Sequence, residues 1–332
     1  MPPGPESAVT AAEPPRAGPD RPGRTVSVPV VRWGSAARRG LGPDEVVAEE
    51  PLEIRVATEG SEHSAPLAVT MRTPGNDFEL AAGFVLTEGV VRAPDDIRSI
   101  RYCAPEGEEQ QFNVVTVDVA RAAGFDPDRF RRNTFTTSSC GVCGRATLEQ
   151  LRVAGLRAPS GSLTIEPARL AELPGRLAAA QTVFARTGGL HATGLADRDG
   201  TLRFAREDVG RHNAFDKVVG RLALDGQLPA SSRVAVVSGR ASFELVQKSV
   251  VAGIPVLAAV GAPSHLAIAL AEEFGTTLVG FVRSDGFTVY AGAERLGLGG
   301  SALPTEVRVP TPAPGRAAEG GPIAPGGTSG PA

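Results

Sequence analysis

Residues 232–283 read SRVAVVSGRASFELVQKSVVAGIPVLAAVGAPSHLAIALAEEFGTTLVGFVR. Short apolar runs bounded by glycine are typical of buried strands, and the longer periodic runs between them are typical of helices. Strands alternating with helices predict an α/β domain in which helices cover both faces of a largely parallel sheet. The predicted strands are 232–239, 254–261 and 276–283, and the predicted helices are 242–253 and 264–275.

Part of this segment has the length of a membrane span. From Ser249 to Ala271 there is no charged residue, and about 20 apolar residues suffice to cross a bilayer. Glycine and proline interrupt this run at spacings that suit helix, turn, strand, turn and helix. We therefore interpret it as the core of the α/β unit and expect no membrane association.

The same alternation extends toward the N-terminus as far as about residue 159. Helical spacing predicts helices over 168–182 and 211–224, and RDG at 198–200 suits a hairpin turn. Before residue 159 the chain is richer in strands, with helices predicted over 76–90 and about 145–153. Further strands are predicted at 25–33, 51–57, 66–72, 111–119, 182–197, 201–208 and 286–292.

The two ends differ in composition from the middle of the chain. Residues 1–24 and 303–332 are rich in Pro, Gly and Ala, and such segments bury too little apolar surface to fold. We predict two disordered tails, a smaller strand-rich lobe over 25–158, and an α/β domain over 159–302.

Charge and cysteine content exclude several classes of protein. The net charge of the 332 residues is −3, which gives no electrostatic basis for binding nucleic acid. No basic stretch followed by an apolar run marks a secretion signal, so a cytoplasmic location is expected. Three cysteines are too few for a disulfide framework.

Cys140 and Cys143 form a CxxC within a glycine-flanked loop over 135–145, just before a predicted helix. The pair could be half of a zinc site, a redox disulfide, an inert structural pair or a sulfur nucleophile. A helix N-terminus and Arg145 would lower the pKa of a thiol and favour the nucleophile. Spacing alone does not separate this interpretation from the redox one.

Other polar groups occur where strands and helices meet. Arg211 and His212 begin a predicted helix after Gly210, an arrangement suited to phosphate binding. His191 follows a glycine pair, and Arg240 follows a strand that ends at Ser238 and Gly239. Because ligands of open α/β sheets bind at the carboxyl ends of strands, these residues predict a pocket for a large anionic ligand.

Seven segments, taken together and in this order, resemble the FdhD/NarQ family, the accessory sulfurtransferases of formate dehydrogenase. The resemblance covers about 76–292 and leaves the tails outside. The segments are NDFELAAGFVLTEGV (76–90), TTSSCGVCG (136–144), ARTGGLHATGLAD (185–197), REDVGRHNAFDKVVG (206–220), SGRASFELVQK (238–248), AGIPVLAAVGAPSHLAIALA (252–271) and GFVRSDGFTVYAG (280–292).

The resemblance implies sulfur transfer. A cysteine desulfurase would load a persulfide on Cys140, with Cys143 as its companion. The sulfur would pass to the bis(molybdopterin guanine dinucleotide) molybdenum cofactor, which is then inserted into formate dehydrogenase. The α/β domain over 159–302 would bind this cofactor through His191, Arg211, His212 and Arg240. The family's guanine contact matches Phe281, Val282, Arg283, Ser284, Asp285 and Gly286.

The resemblance also implies a homodimer and a three-layer, cytidine-deaminase-like α/β domain with a mixed, largely parallel sheet. Deaminases hold zinc with HxE followed by PCxxC. Here the CxxC precedes His191 and the glutamate is missing, so neither deaminase chemistry nor a structural metal is expected. The alternatives are a cofactor-binding chaperone with incidental cysteines and a thiol-disulfide oxidoreductase.

Overall fold

This computed structural model describes residues 21–34, 40–61, 63–104, 109–121 and 157–298, and the first element in these ranges is a two-stranded ribbon. Strand β1 (Thr25–Arg32) pairs antiparallel with β2 (Gly40–Val47). The sequence predicted β1 but not β2, because the glycines and proline of GLGPDEVV are typical of a turn.

A four-stranded sheet follows, with one helix against it. Its strands are β3 (Glu50–Thr58), β4 (Ser64–Arg72), β5 (Ile97–Tyr102) and β6 (Val114–Val119), in the order β4-β3-β6-β5. Helix α1 (Asp77–Thr87) packs on the sheet through buried Leu80, Ala81 and Val85. The predicted helix over 76–90 is confirmed, with ends a few residues shorter.

A six-stranded sheet forms the second half of the fold. Along the chain come α2 (Pro167–Ala180), the single-turn α3 (Phe184–Thr187), β7 (His191–Asp197), β8 (Leu202–Asp208), α4 (Arg211–Leu224), β9 (Arg233–Val237), α5 (Phe243–Val251), β10 (Val256–Ala259), α6 (His265–Glu273), β11 (Thr277–Arg283) and β12 (Gly286–Ala291). The sheet order is β12-β11-β10-β9-β7-β8. The described part of the chain is one compact unit.

The expectation of a mixed sheet is confirmed, but parallel pairing is confined to its centre and does not dominate the sheet. Only β9, β10 and β11 pair in parallel, whereas β7 runs antiparallel to both β8 and β9, and β12 antiparallel to β11. The predicted turn at 198–200 is confirmed between β7 and β8, with Gly200 at φ 81°. The segment predicted as strand over 182–197 begins instead with α3.

Helices lie on both faces of the six-stranded sheet. On one face, α2 buries Leu170, Leu173 and Leu177 against the sheet. On the other face α4, α5 and α6 share a core that includes Phe215 and Leu245. Three layers are therefore present, whereas a specifically cytidine-deaminase-like arrangement stays a prediction.

The predicted boundary between the lobes at 158/159 adjoins residues 122–156, outside the described part of the chain, and stays a prediction. No helix among the described residues is long and apolar enough to cross a membrane.

Candidate functional site

The carboxyl ends of β9, β10 and β11 meet at one edge of the six-stranded sheet. The loops after β9 and β10 and the last residues of β11 are hydrogen-bonded to each other through their backbones. The Gly261 amide donates to the Gly239 carbonyl at 2.9 Å, and the Phe281 amide donates to the Gly261 carbonyl at 3.2 Å. This edge is the crevice position that the sequence predicted for a ligand.

His191 lies at the same edge although it begins its strand. Because β7 is antiparallel to β9, its first residues lie beside the last residues of β9, with Thr193 opposite Val237. A Cβ on Gly239 would lie 3.4 Å from Nδ1 of His191. Burial and the nearby Arg211 guanidinium lower the pKa of His191, which favours the neutral imidazole.

Arg211 and His212 occupy the first turn of α4, directly after Gly210. Nε of Arg211 is buried without a hydrogen-bond partner among the described residues. A buried guanidinium nitrogen left unpaired is costly, so an acceptor at this position would stabilise it. Oxygens of a phosphate would fit that requirement.

His212 faces the start of α5. Its Nε2 lies 3.3 Å from Oγ of Ser242 and 3.8 Å from a carboxylate oxygen of Glu244. Burial, together with the charge of Arg211, lowers the pKa of His212 to about 4. At neutral pH the ring is therefore uncharged, and it offers a hydrogen bond rather than a cation.

The predicted guanine contacts occupy the end of β11 and the turn into β12. They differ in whether their side chains are exposed to a ligand. Phe281 is about half exposed in a left-handed conformation (φ 53°), whereas the Val282 side chain is fully buried in the core beneath the sheet. Nη1 of Arg283 donates to the Val260 carbonyl at 2.7 Å. Ser284, Asp285 and Gly286 form the exposed turn. The side chain of Val282 cannot reach a ligand at this edge.

The candidate residues form two groups along the edge. His191, Arg211 and His212 lie at β7 and α4, and Phe281 and Arg283 lie at β11, three strand spacings or about 14 Å away. The exposed Arg240 lies between the two groups, and a Cβ on Gly261 would come within 3.1 Å of its backbone. An elongated anionic ligand fits this arrangement better than a compact one.

Two residues that the sequence groups with Arg211, at the start of the same helix, are buried behind His191 and Arg211 rather than exposed to solvent. Asp208 and Lys217 form an ion pair of 2.6 Å with both side chains fully buried. Thr73, from the loop between β4 and α1, contacts both of them. The sequence places Asp208 and Lys217 close together, but nothing in it indicates that Thr73 joins them.

Cys140 and Cys143 lie outside the described residues, as does the predicted helix after them. Cys103 is described, at the end of β5, with Sγ 3.2 Å from Oγ1 of Thr116. Within the described ranges no cluster of three or more His, Cys, Asp or Glu side chains could hold a metal ion. The metal-free expectation for the CxxC itself is not tested by this finding.

Comparison with known proteins gives concordant matches. The model of the FdhD/NarQ family matches residues 47–297. Over 258 residues the chain is 53% identical to the sulfur carrier protein FdhD of Mycolicibacterium paratuberculosis, covering 77% of this chain and 93% of that protein. The sulfur carrier protein FdhD of Streptomyces coelicolor is 52% identical over 272 residues, covering 81% and 93% respectively.

A solved structure matches the fold. It is a crystal structure from Desulfotalea psychrophila, assigned as a formate dehydrogenase accessory protein, with a TM-score of 0.60 and 25% sequence identity. The match covers 82% of this chain and 98% of that one. The fold described above therefore occurs, at almost full length, in a second protein.

Proposed function

Because the chain belongs to the FdhD/NarQ family, we propose that it is a sulfur carrier that serves formate dehydrogenase. In this proposal Cys140 accepts sulfur from a cysteine desulfurase as a persulfide. It delivers the sulfur to the bis(molybdopterin guanine dinucleotide) molybdenum cofactor, which is the substrate and not a resident group. The continuous match over 47–297, which includes both CxxC cysteines, is the observation that carries the proposal.

The loading step requires an ionised thiol. The Cys140 thiolate attacks the terminal sulfur of the donor's persulfide, the donor's S–S bond breaks, and the donor cysteine leaves as a thiolate. Cys140 then holds the sulfur as its own persulfide. Cys143, three residues away, assists by exchange or by protecting the loaded sulfur.

The sheet edge supports a role in holding the substrate. The cofactor carries several phosphates, and the edge offers the exposed Arg240, the first turn of α4 and Nε of Arg211, which has no partner in the part of the chain that the structure describes. Phe281, exposed at the far end, offers an aromatic face for a guanine ring. The separation of the two groups suits a dinucleotide, whose phosphates and base lie apart.

Mass spectrometry after incubation with a cysteine desulfurase and cysteine tests the carrier step. A mass increase of about 32 Da, one sulfur atom, on the peptide containing Cys140 supports the proposal. No adduct on that peptide, together with tight binding of the finished cofactor, would indicate a chaperone instead. A stoichiometric metal would indicate the zinc site, and a reversible Cys140–Cys143 bond with turnover of a general dithiol would indicate an oxidoreductase.

The assembly and location follow from the same proposal. A carrier that meets a desulfurase and an apoenzyme is expected in the cytoplasm, and the family resemblance implies a homodimer. The mass of the purified protein in solution tests the dimer directly.

A further inference from the structure

A fully buried ion pair lies directly behind the candidate anion site. Nζ of Lys217, in the second turn of α4, lies 2.6 Å from Oδ2 of Asp208, the last residue of β8. Neither side chain is exposed to solvent. Lys217 also donates to the Thr73 carbonyl at 3.0 Å, so its charge is satisfied within the protein.

The Asp208 carboxylate connects three segments of the chain. It accepts hydrogen bonds from the amide of Gly210 at 2.9 Å, from Nδ2 of Asn213 at 3.0 Å and from the amide of Thr73 at 3.2 Å. Two of these donors belong to the turn that carries Arg211 into α4. The third belongs to the loop between β4 and α1, in the other half of the fold.

The same carboxylate acts on His191. In the β7–β8 pairing, His191 lies directly opposite Asp208. The negative charge of Asp208 raises the pKa of His191, against the opposing effects of burial and of Arg211. Asp208 therefore influences both predicted anion ligands, one through the backbone of its turn and one through its charge.

Stability alone does not account for such a pair. Removing two charges from water is costly, and a buried ion pair replaced by apolar groups of similar volume often leaves a protein equally or more stable. A fixed geometry for neighbouring ligands is a benefit that apolar groups would not supply, because they would not hold the Gly210 amide.

We propose that Asp208 and Lys217 are positioning residues that hold Arg211 and His191 in the geometry needed to bind phosphate groups. This inference rests on the proposed function, which places phosphates of the substrate at this edge. Lys217 neutralises and orients the Asp208 carboxylate, and Asp208 holds the first turn of α4. Neither residue touches the ligand.

The test compares the binding of inorganic pyrophosphate by calorimetry with thermal stability. Single variants Asp208→Asn and Lys217→Met leave one buried charge unpaired, so both should melt at a lower temperature. The double variant Asp208→Asn/Lys217→Met removes both charges and should recover much of that loss. It should still bind pyrophosphate about tenfold more weakly, the effect of losing one charge-assisted hydrogen bond.

Another ion pair, which is only partly buried, provides the matched control. Arg206, on β8, and Glu79, on α1, are joined by Nη2 and Oε1 at 2.7 Å, and neither is among the hydrogen-bond partners given above for Asp208. The variant Glu79→Gln/Arg206→Met should change the melting temperature and leave pyrophosphate affinity at the wild-type value. Histidine NMR adds a readout in which the pKa of His191 falls in the Asp208→Asn/Lys217→Met variant but not in the control.

The possible failures are distinguishable. Wild-type affinity and an unchanged His191 titration in the Asp208→Asn/Lys217→Met variant would show that the pair is structural only. If the wild-type protein itself binds no pyrophosphate, the phosphate site of the proposed function is wrong and this inference falls with it. Loading of sulfur on Cys140 would be unaffected in that case, which separates the carrier step from the binding site.

Discussion

A Cβ on Gly220 of α4 would lie 1.7 Å from the carbonyl oxygen of Glu79 in α1, so the two helices approach to a distance that only glycine permits. The contact is reciprocal, because a Cβ on Gly83 of α1 would lie 1.9 Å from the carbonyl oxygen of Asp216 in α4. Helix α1 packs on the four-stranded sheet and α4 on the six-stranded sheet. This glycine contact is therefore one of the places where the two halves of the fold are joined, together with the contacts of Thr73 and of Glu79 described above.

The first prediction concerns this contact. Gly220→Ala should lower the free energy of unfolding by about 1–3 kcal/mol or more, because the new methyl group meets backbone that cannot move aside without shifting a helix. Gly175→Ala is the control, since nothing lies within 4 Å of a Cβ there in α2. It should be neutral or stabilising by up to about 1 kcal/mol. Urea unfolding of both variants measures the difference, and equal effects would refute the close contact.

The second prediction concerns Lys248, whose buried ammonium joins three helices. Nζ lies 2.8 Å from Oγ1 of Thr87, 2.9 Å from Oε1 of Glu88 and 3.0 Å from Oδ2 of Asp216. Burial raises the pKa of Asp216 to about 6, and Lys248 opposes that rise. Lys248→Met would leave the Asp216 carboxyl buried without a cation, and should cost about 3–5 kcal/mol of unfolding free energy.

An exposed ion pair supplies the control for Lys248. Nε of Arg98 lies 3.5 Å from Oε2 of Glu59, and about half of each side chain is exposed. Arg98→Met should change the free energy of unfolding by less than about 1 kcal/mol. A loss in Lys248→Met no larger than that in Arg98→Met would show that the buried network contributes little.

The spacing of apolar residues along the chain is sufficient to predict helices that are stabilised by their own sequence. Helix α4 was predicted over 211–224 and has those bounds, because its apolar residues recur at helical spacing between Gly210 and Gly226. Helix α3 was missed because its cause is distant in sequence. The Glu207 carboxylate accepts hydrogen bonds from the amides of Val183 and Phe184, and so caps a helical turn where the residue types indicate a strand.

The strand directions could not all be predicted from the sequence, because they also depend on contacts between distant segments. The helix between β8 and β9 correctly implies that these strands point the same way. It does not reveal that β7 inserts between them and makes two antiparallel pairings. The same holds for the candidate site. The sequence predicts His191 and Arg211 individually, but it cannot predict the hydrogen bond from Thr73 to Asp208, because these residues are 135 positions apart.

The third prediction concerns pH, through His212. Its pKa is about 4 in the folded protein and 6.5 in the unfolded chain, so the unfolded chain binds more protons between these values. The contribution of His212 to stability is therefore fully present above pH 6.5 and is lost as the pH falls toward 4. The pKa difference corresponds to an upper limit of about 3 kcal/mol for this contribution. The actual value is smaller, because 37% of the His212 side chain is exposed and solvent screens its charge.

The variant His212→Gln keeps a polar group beside Ser242 and removes the titration. The free energy of unfolding of this variant should therefore fall less steeply than that of the wild type between pH 6.5 and pH 4. Identical slopes for the two proteins would show that His212 titrates normally in the folded state.

The fourth prediction separates the three cysteines by role. Cys140→Ala should abolish both the persulfide adduct and the rescue of formate dehydrogenase activity in cells that lack their own carrier, because no other thiol is proposed to accept sulfur. Cys143→Ala should still acquire the adduct, since the attacking thiolate is intact. Cys103→Ala is the matched control. The Cys103 thiol, at the end of β5, contacts Thr116 on β6 and has no part in the proposed transfer. It should load and rescue like the wild type.

Full rescue by Cys140→Ala would refute the carrier assignment. Loss of rescue in Cys103→Ala alone would indicate that the sulfur-accepting thiol is Cys103, beside the four-stranded sheet.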